Sequence, residues 1–564
     1  MIRVAEPDQP RFAHFEGVKV TSLYDLYSRH DEVARQIHQD TLRRFTGNNT
    51  LTVDLVHESP IVPDHPQETI QHLQQYEVVS VSSGVALGSI IRSGGVAGHQ
   101  LVDMYRHSFA EQDMPVFVES AGNEGKTKQE IMPRVSDFAR NSLVVGEANR
   151  GGGSPYVEEH SSRINPTLTS DTPFNRGERY QFYNVSPSLT GHEDLIRDWI
   201  IDREVNRAFD QFKQQNQDKV LDNTELSSAY LRISQATRHE YTETKEGQAK
   251  IDAEVRGYMA RPETLHSQIM AEFREHADID ANGFVTGIDG TSFSAPEQAG
   301  YISGAVYEQT QREEQGRPIL TKDEITTLAK MATIDTQARE GSAEPMHSYT
   351  NHAGETFVEG GGHGVFQPEM FRSLLNEAYR RIETDPNIDR HSVTAVMSAP
   401  VGDNHRGDQP VRLSSNLPEG HNMVIDRMRL DLTYRVDGLV PHTAVLTPPG
   451  QEAYGVHLQE ASGDNSRISG WSREEDRFGE IHHPGDHWDV RLVNGRDSVL
   501  QDAQITVYGY NQGGLMDQMI AYSKELAAKM TPTPAAAPDQ PAVQGTVAPA
   551  NAGHDTPSLP PAPR

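Results

Sequence analysis

The chain has 564 residues, more than one hydrophobic core usually holds, so about two to four domains are predicted. It contains no cysteine, which excludes disulfides, thiolate catalysis and cysteine-ligated zinc. Its net charge of −30 argues against nucleic acid as the main partner, because phosphate binding needs clustered Lys and Arg.

The first part of the chain alternates strand-like and helix-like patterns. The predicted strands lie at 18–23, 51–56, 77–82, 116–119 and 142–146, and the predicted helices at 31–44, 66–76 and 97–111. Such alternation predicts an α/β fold, a parallel sheet with helices on both faces. Ligands of these sheets bind at the carboxyl ends of the strands.

Residues 190–285 form a different region, which is rich in charge and helical periodicity and poor in strand patterns. We interpret this region as a solvated helical insertion. Helices at 292–307, after Thr321, and at 368–382 follow it, the second one capped by Thr321 and Glu324.

The C-terminal part changes from helical periodicity to alternation with a period of two. Between 423 and 510, apolar residues alternate with polar ones, which predicts antiparallel strands in a β-sandwich of the jelly-roll type. Turn-rich residues 386–420 are predicted to be a linker. A short helix is predicted at 513–530, and the Pro/Ala-rich residues from 531 onward are predicted to be disordered.

The segment 290–296 reads GTSFSAP and places Ser292 at the start of a predicted helix. The N–H groups at a helix N-terminus stabilise an oxyanion that forms beside such a hydroxyl. Small residues at 294 and 295 let the helix approach a sheet, and Pro296 is tolerated in the first turn of a helix. A serine in a glycine turn is also a common N-cap, so this motif needs a second signal.

The second signal is 116–125, VFVESAGNEG, a buried strand that ends in a turn. The two segments together resemble the subtilisin-like serine peptidases, whose nucleophile motif is Gly-Thr-Ser-x-Ala-x-Pro. Ser294 replaces the first Ala of that motif, and Asn123 falls on the family's oxyanion asparagine. The resemblance implies that Ser292 is the nucleophile and that Asn123 stabilises the oxyanion.

The same resemblance suggests where substrate binds and how far the peptidase domain extends. Segment 78–84, VVSVSSG, is similar to the family's substrate-lining strand, which implies that Ser82, Ser83 and Gly84 contact a polypeptide substrate. A subtilisin-like domain is therefore expected over 1–385, interrupted by an insertion at 150–285.

The resemblance also implies an Asp and a His, in that order, upstream of the nucleophile. His30 opens a predicted helix and approximates the family pattern His-Gly-x-x-Val-Ala, without the Gly and with one residue fewer. It is the predicted base, and His14 and His57 fit the order of elements less well. Asp8, at the end of a predicted strand 2–8, is the predicted acid, and Asp25 is the runner-up.

Two acidic loops resemble the calcium loops of EF-hands. The loop 214–225 lacks the first carboxylate and the central Gly. The second loop fits better, and its expected Ca²⁺ ligands are Asp278, Asp280, Asn282 and Asp289. The alternative for each loop is an acidic surface turn. No cofactor is required for the triad chemistry itself.

Residues 421–511 resemble the P domain of proprotein convertases, through TPPG at 447–450 and HWDVRL at 487–492. A generic jelly-roll module is the alternative. Residues 512–564 are assigned to the short helix and the tail. The histidine-rich stretch 482–487 is interpreted as an exposed loop rather than a metal site.

These patterns together predict a serine endopeptidase with a β-sandwich accessory domain. Two other functions stay open: an inactive peptide-binding scaffold of the same fold, and a calcium-regulated interaction protein. No apolar run spans a membrane, and no secretory signal peptide is visible. A cytoplasmic location and a non-classical export route are both compatible with the sequence, and the oligomeric state is left open.

Overall fold

The structure is a computed structural model that describes part of the chain. The described residues are 10–15, 22–56, 66–82, 114–122, 139–149, 156–157, 168–170, 172–174, 178–217, 223–275, 278–285, 290–334, 348–350, 356–358, 363–401, 404–418, 421–436, 441–448, 453–464, 467–474, 481–482 and 487–530. They fall into two compact units. Unit 1 holds the described residues within 1–17, 34–176 and 289–540, and unit 2 holds those within 18–33 and 177–288.

The elements are numbered in chain order over the described residues. The strands are β1 (Phe12–Phe15), β2 (Asp54–Val56), β3 (Val78–Val81), β4 (Val116–Ser120), β5 (Ser142–Asn149), β6 (Tyr156–Val157), β7 (Leu168–Ser170), β8 (Tyr180–Gln181), β9 (Phe284–Val285), β10 (Thr333–Ile334), β11 (Ser348–Thr350), β12 (Thr356–Val358), β13 (Val365–Phe366), β14 (Ser392–Pro400), β15 (Val411–Ser415), β16 (Met423–Val436), β17 (Thr443–Thr447), β18 (Tyr454–His457), β19 (Gln459–Asp464), β20 (Arg467–Glu474), β21 (Ile481–His482), β22 (Trp488–Leu492) and β23 (Ser498–Asn511). The helices are α1 (Leu23–Tyr27), α2 (His30–Thr46), α3 (Pro66–Leu73), α4 (Glu193–Gln215), α5 (Asn223–Glu243), α6 (Lys245–Ala260), α7 (Pro262–Arg274), α8 (Thr291–Glu314), α9 (Lys322–Met331), α10 (Pro368–Thr384) and α11 (Leu515–Met530).

A parallel sheet forms the first half of unit 1, with the strand order β10-β13-β7-β5-β4-β3-β1-β2. Neighbouring strands from β13 to β2 run parallel, and β10 is antiparallel to β13. Residues of α8, α9 and α10 share one buried core with this sheet, whereas Ile70 and Leu73 of α3 share another with Val79 and Phe117. The predicted α/β fold with helices on both faces of a parallel sheet is confirmed.

The first strand of the sheet differs from the prediction. β1 pairs with both β2 and β3, and all four of its residues are buried. The strand predicted at 18–23 is wrong at its described end, because Ser22 and Asp25 form a capping box that starts α1. A strand of four residues that is buried on both faces carries no alternation, so periodicity does not reveal it. The helix predicted at 97–111 lies outside the described residues.

The long helix α8 packs closely against α2. A Cβ added to Gly300 would lie 2.5 Å from the Cβ of Thr41, so only glycine allows this approach. Beside this contact, His38 on α2 is fully buried, and its Nε2 lies 2.8 Å from Oγ of Ser303 on α8. The helix predicted to start at Ser292 is thus packed against α2 beyond its first turns, at Gly300 and Ser303.

His38 is expected to make unit 1 acid-sensitive. Burial, together with His14 and Arg35, holds the pKa of His38 well below 6.5, so the unfolded chain binds this proton more readily than the folded chain. The stabilisation is complete above the unfolded pKa and is lost as the pH falls below it. The expected loss is about 1.4 kcal/mol per pH unit in that window. Unfolding midpoints at pH 7.5 and 5.5 should therefore differ less in His38→Gln than in the parent.

The second half of unit 1 is antiparallel, with the strand order β18-β17-β22-β15-β14-β23-β16-β20-β19. Leu430 of β16 and Val507 of β23 share one buried core with Leu446 of β17 and Trp488 of β22. Strands from both ends of this order therefore pack around one shared core, which is the arrangement of a β-sandwich. This confirms the predicted C-terminal architecture. The resemblance to a P domain stays a prediction.

The linker predicted at 386–420 is wrong where β14 and β15 lie. Both strands belong to the antiparallel sheet, and β14 pairs with β23 over nine residues. Turn residues such as Pro400 end these strands, and their density hid the strands between them. The β-sandwich also shares buried cores with the parallel-sheet half, through Val424, Tyr510 and Trp471.

Unit 2 is built from helices α4 to α7 with α1 and the short pair β8–β9. The helical character predicted for 190–285 is confirmed. The interpretation as a merely solvated insertion is wrong, because Trp199, Ile251, Leu265 and Tyr183 form a buried core of their own with Tyr27. None of the helices in the described part of the chain has the length and apolar composition needed to cross a bilayer.

Candidate active site

Ser292 is the second residue of α8, and it is the most accessible residue of the helix start. From Gly290 to Gly300 every residue is buried except Ser292, which is partly exposed. Gly290 precedes the helix with φ of 152°, a conformation that favours glycine. The sequence thus places one accessible hydroxyl in the otherwise buried start of α8, where backbone N–H groups lack intrahelical acceptors.

The first turn of α8 is tied to the carboxyl ends of two neighbouring parallel strands. Ser82, which follows β3, donates its hydroxyl to the carbonyl oxygen of Ser292 at 3.1 Å. Gly122, which follows β4, donates its N–H to Oγ1 of Thr291 at 3.1 Å. Ser120 in turn donates to the carbonyl of Ser82 at 3.0 Å. This is the sheet edge at which ligands of parallel sheets bind.

Pro296 explains why Ser82 is needed. It lies inside α8, in the second turn and not in the first turn as predicted. Proline has no N–H, so the carbonyl of Ser292, four residues earlier, has no donor within the helix. The Ser82 hydroxyl takes the place of that donor. Ser82 was predicted to contact substrate, and the described bond gives it a structural role beside the nucleophile.

Ser82→Ala should expose this dependence. The variant removes the side-chain donor to the part-buried carbonyl of Ser292, which costs about 0.5–1.5 kcal/mol. We expect a lower unfolding midpoint and a slower reaction at Ser292, whereas Ser82→Thr, which keeps a hydroxyl, should stay close to the parent. Thermal unfolding and initial rates measured side by side check the prediction, and an unchanged Ser82→Ala would contradict it.

Several predicted site residues lie outside the described residues. They are Asp8, Ser83, Gly84, Asn123 and Asp289. Asn123 directly follows Gly122 in the chain, and the φ of Gly122 is 101°, which favours glycine. The oxyanion role of Asn123 and the substrate contacts of Ser83 and Gly84 stay predictions.

His30, the predicted base, is the first residue of α2 and belongs to unit 2. Its side chain is 29% exposed, and its Nδ1 lies 3.8 Å from Oδ1 of Asp31. Its ring meets the ring of Phe182 edge-on, with the centroids 6.1 Å apart. Its backbone N–H donates to Oγ of Ser28 at 3.2 Å.

Among the alternative residues for the triad, Asp25 takes part in a helix cap and His14 is buried in a strand. Asp25 accepts a hydrogen bond from the backbone N–H of Ser22 at 2.8 Å, so its carboxylate closes the cap of α1. His14 is fully buried within β1. His57 lies outside the described residues.

A further carboxylate, that of Glu16, follows β1 in the chain. Phe15, the last residue of β1, pairs with Val81, the last residue of β3. The residues that follow Phe15 in the chain are Glu16 and Gly17, which lie outside the described residues. An acidic residue and a glycine after a short apolar run, FAHF, is the signal that would have identified this candidate.

The predicted calcium loop is held by its own hydrogen bonds. Oδ1 of Asp280 accepts the backbone N–H groups of Asn282 at 2.8 Å and Phe284 at 3.0 Å, and Oδ2 pairs with Arg179 at 2.5 Å. The bond from Phe284 leads the effects that lower the pKa of Asp280. Asp278 is exposed, and the described residues contain no acidic or histidine cluster able to hold a metal. Calcium binding by this loop stays a prediction.

No protein-family model matches the chain, and no curated protein matches it. Among solved structures, a serine protease of Aeromonas sobria matches with 10% identity and a TM-score of 0.40, over 89% of each chain. A lanthipeptide protease matches with 12% identity and a TM-score of 0.30, over 65% of this chain and 88% of its own. A mutant of the protease domain of PatA matches with 10% identity and a TM-score of 0.28, over 65% of this chain and 95% of its own.

Proposed function

We propose that this protein is a serine endopeptidase that hydrolyses polypeptides, with Ser292 as the nucleophile. One observation supports this proposal most strongly: Ser292 is the accessible residue in a buried helix start that is bonded to the ends of β3 and β4. The N-cap position of α8 is Gly290 and no side chain caps the helix, so the Ser292 hydroxyl is not used as a helix cap.

The proposed reaction follows the general triad scheme. His30 accepts the proton of Ser292 as the hydroxyl attacks a peptide carbonyl, and it returns the proton to the leaving amine. The N–H of Ser292 and the amide of Asn123 stabilise the oxyanion of the tetrahedral intermediate. Water then releases the acyl group. Asn123→Ala is the variant that removes one such donor, and a loss of about 10²–10³ in turnover accompanies that kind of change.

The acid that orients His30 is proposed to be Asp8 or Glu16. The resemblance favours Asp8. The position of β1 favours Glu16, because β1 runs parallel to β3 and the two strands therefore end at the same edge of the sheet. Removal of a triad acid costs about 10⁴ in turnover. We therefore expect that loss in only one of Asp8→Asn and Glu16→Gln.

The experiment is release of acid-soluble fluorescence from labelled casein by the purified full chain. The proposal expects hydrolysis by the parent and its loss in His30→Ala, with Asp8→Asn and Glu16→Gln compared in the same assay. Binding of casein without hydrolysis by the folded parent would support the scaffold function and contradict the peptidase.

A further inference from the structure

The backbone that leads into His30 is paired with another segment of unit 2, residues 182–184. Ser28 forms an antiparallel bridge with Tyr183. The N–H of Arg29 donates to the carbonyl of Phe182 at 2.8 Å, and the N–H of Asn184 donates to the carbonyl of Tyr27 at 2.8 Å. Three consecutive residues before His30 are thus held by residues 182–184 in the manner of a short β-ladder.

Side chains reinforce this pairing from two directions. Tyr27 is fully buried, and its hydroxyl lies 2.7 Å from Nδ1 of His266 on α7. Burial lowers the pKa of His266 and raises that of Tyr27, so at neutral pH the bond joins a neutral hydroxyl and a neutral ring. On the other side, Arg29 donates to Oε1 of Gln181 at 2.6 Å, and Gln181 donates to the carbonyl of Asn282 at 3.0 Å.

The imidazole of His30 is in contact with the same segment. Its ring meets Phe182 at an interplanar angle of 83°, and Phe182 is half-buried. Both chain neighbours of Phe182 are hydrogen-bonded. Gln181 donates to the carbonyl of Asn282, and the N–H of Tyr183 donates to the carbonyl of Gly283 at 3.1 Å. The aromatic ring beside His30 therefore lies on a segment that directly follows β8 and is held through the antiparallel pair β8–β9.

We propose that the helical unit is a positioning device for the catalytic base, with Phe182 as the positioning residue for His30. This inference rests on the proposed function, because it takes His30 as the base. Within unit 2, residues 182–184 hold the backbone of 27–29, and the Phe182 ring limits the orientations open to the imidazole. The position of a catalytic base governs turnover strongly, since a displacement of about 1 Å lowers the rate by up to about 10²-fold.

The first test compares three aromatic variants in the casein assay with the full chain. Phe182→Ala should lower kcat about 10- to 100-fold with little change in KM, because the base is misaligned while substrate binding is retained. Phe182→Tyr, which keeps the ring, should restore the rate. The matched control is Phe209→Ala, another half-buried aromatic of unit 2, which contacts Tyr230 at 5.2 Å. An equal loss in Phe209→Ala, or none in Phe182→Ala, would overturn the inference.

The second test does not depend on activity. The Cε1–H signal of His30 in the NMR spectrum of histidine-labelled protein is assigned by its absence in His30→Gln and followed from pH 5 to 9. Its chemical shift and titration midpoint should move in Phe182→Ala and stay in place in Phe209→Ala. An unmoved signal overturns the positioning role. If the parent fails to hydrolyse casein, the proposed function fails, and this signal alone then decides whether Phe182 holds His30.

Discussion

Ser292→Ala is expected to lower kcat for polypeptide hydrolysis by about 10⁶-fold, the size of loss known for removal of the nucleophile in a subtilisin. Alanine removes the attacking oxygen and leaves the bonds of the helix start in place, since Ser82 bonds to the backbone carbonyl of residue 292 and not to its side chain. KM and the unfolding midpoint should therefore stay near those of the parent. Initial rates on labelled casein, measured with thermal unfolding of the same samples, check the prediction.

Ser294 supplies the matched control for this prediction. It lies two residues further along α8, and its buried hydroxyl has no hydrogen-bond partner among the described residues. Ser294→Ala should retain hydrolysis within a small factor of the parent. Substantial hydrolysis by Ser292→Ala, or an equal loss in both variants, would remove Ser292 from the role of nucleophile.

Asp426→Ala is expected to destabilise unit 1 by about 3–5 kcal/mol, because it removes the carboxylate that forms an ion pair with the buried ammonium group of Lys330. The side chain of Lys330 on α9 is only 2% exposed, and its Nζ lies 3.2 Å from Oδ1 of Asp426. The same oxygen accepts the hydroxyl of Thr327 at 3.0 Å, and Thr327 Oγ1 lies 3.1 Å from the hydroxyl of Tyr510 on β23. Urea unfolding followed by tryptophan fluorescence measures the loss as a lower midpoint.

The position of Asp426 in β16 makes this network possible. The register with β23 shifts between Ile425 and Arg427, so Asp426 lies at a bulge. The control is the exposed pair Arg406–Asp408, for which Asp408→Ala should cost at most about 1 kcal/mol. The double variant Lys330→Met with Asp426→Leu should recover most of the stability, because it removes both charges of this buried ion pair together. Equal effects of Asp426→Ala and Asp408→Ala would contradict this view of the network.

The sequence predicted best those elements whose own residues carry a clear apolar pattern. β4, with VFVES buried throughout, and α10, with a clear apolar face, were found close to their positions. The capping box of Thr321 and Glu324 was read correctly from two residues, because a cap depends on local hydrogen bonds alone.

Elements whose identity depends on distant partners were missed. β1 is a strand because β2 and β3 flank it, and β14 is a strand because β23 pairs with its full length. Neither has a distinctive period in the sequence. The core of unit 2 was missed for the same reason, since Tyr27 joins it from a segment more than a hundred residues before the predicted helical region 190–285.

At the candidate site, the sequence predicted Ser292 as the nucleophile but did not predict the hydrogen bonds that hold the start of its helix. Nothing in the local pattern predicts that Pro296 deprives the Ser292 carbonyl of its donor or that Ser82 replaces it. That bond joins residues 210 positions apart and depends on the parallel order of β3 and β4. The position of His30 beside Phe182 likewise follows from pairing that no spacing rule contains.

Fluorophosphonate labelling followed by peptide mass mapping tests most directly whether Ser292 is a reactive nucleophile. We predict one adduct on the native protein, located by fragment ions on Ser292 and not on Ser294, absent from Ser292→Ala and absent after denaturation. An adduct on a different residue, or an unlabelled Ser292 in protein shown to be folded, would contradict the proposed peptidase.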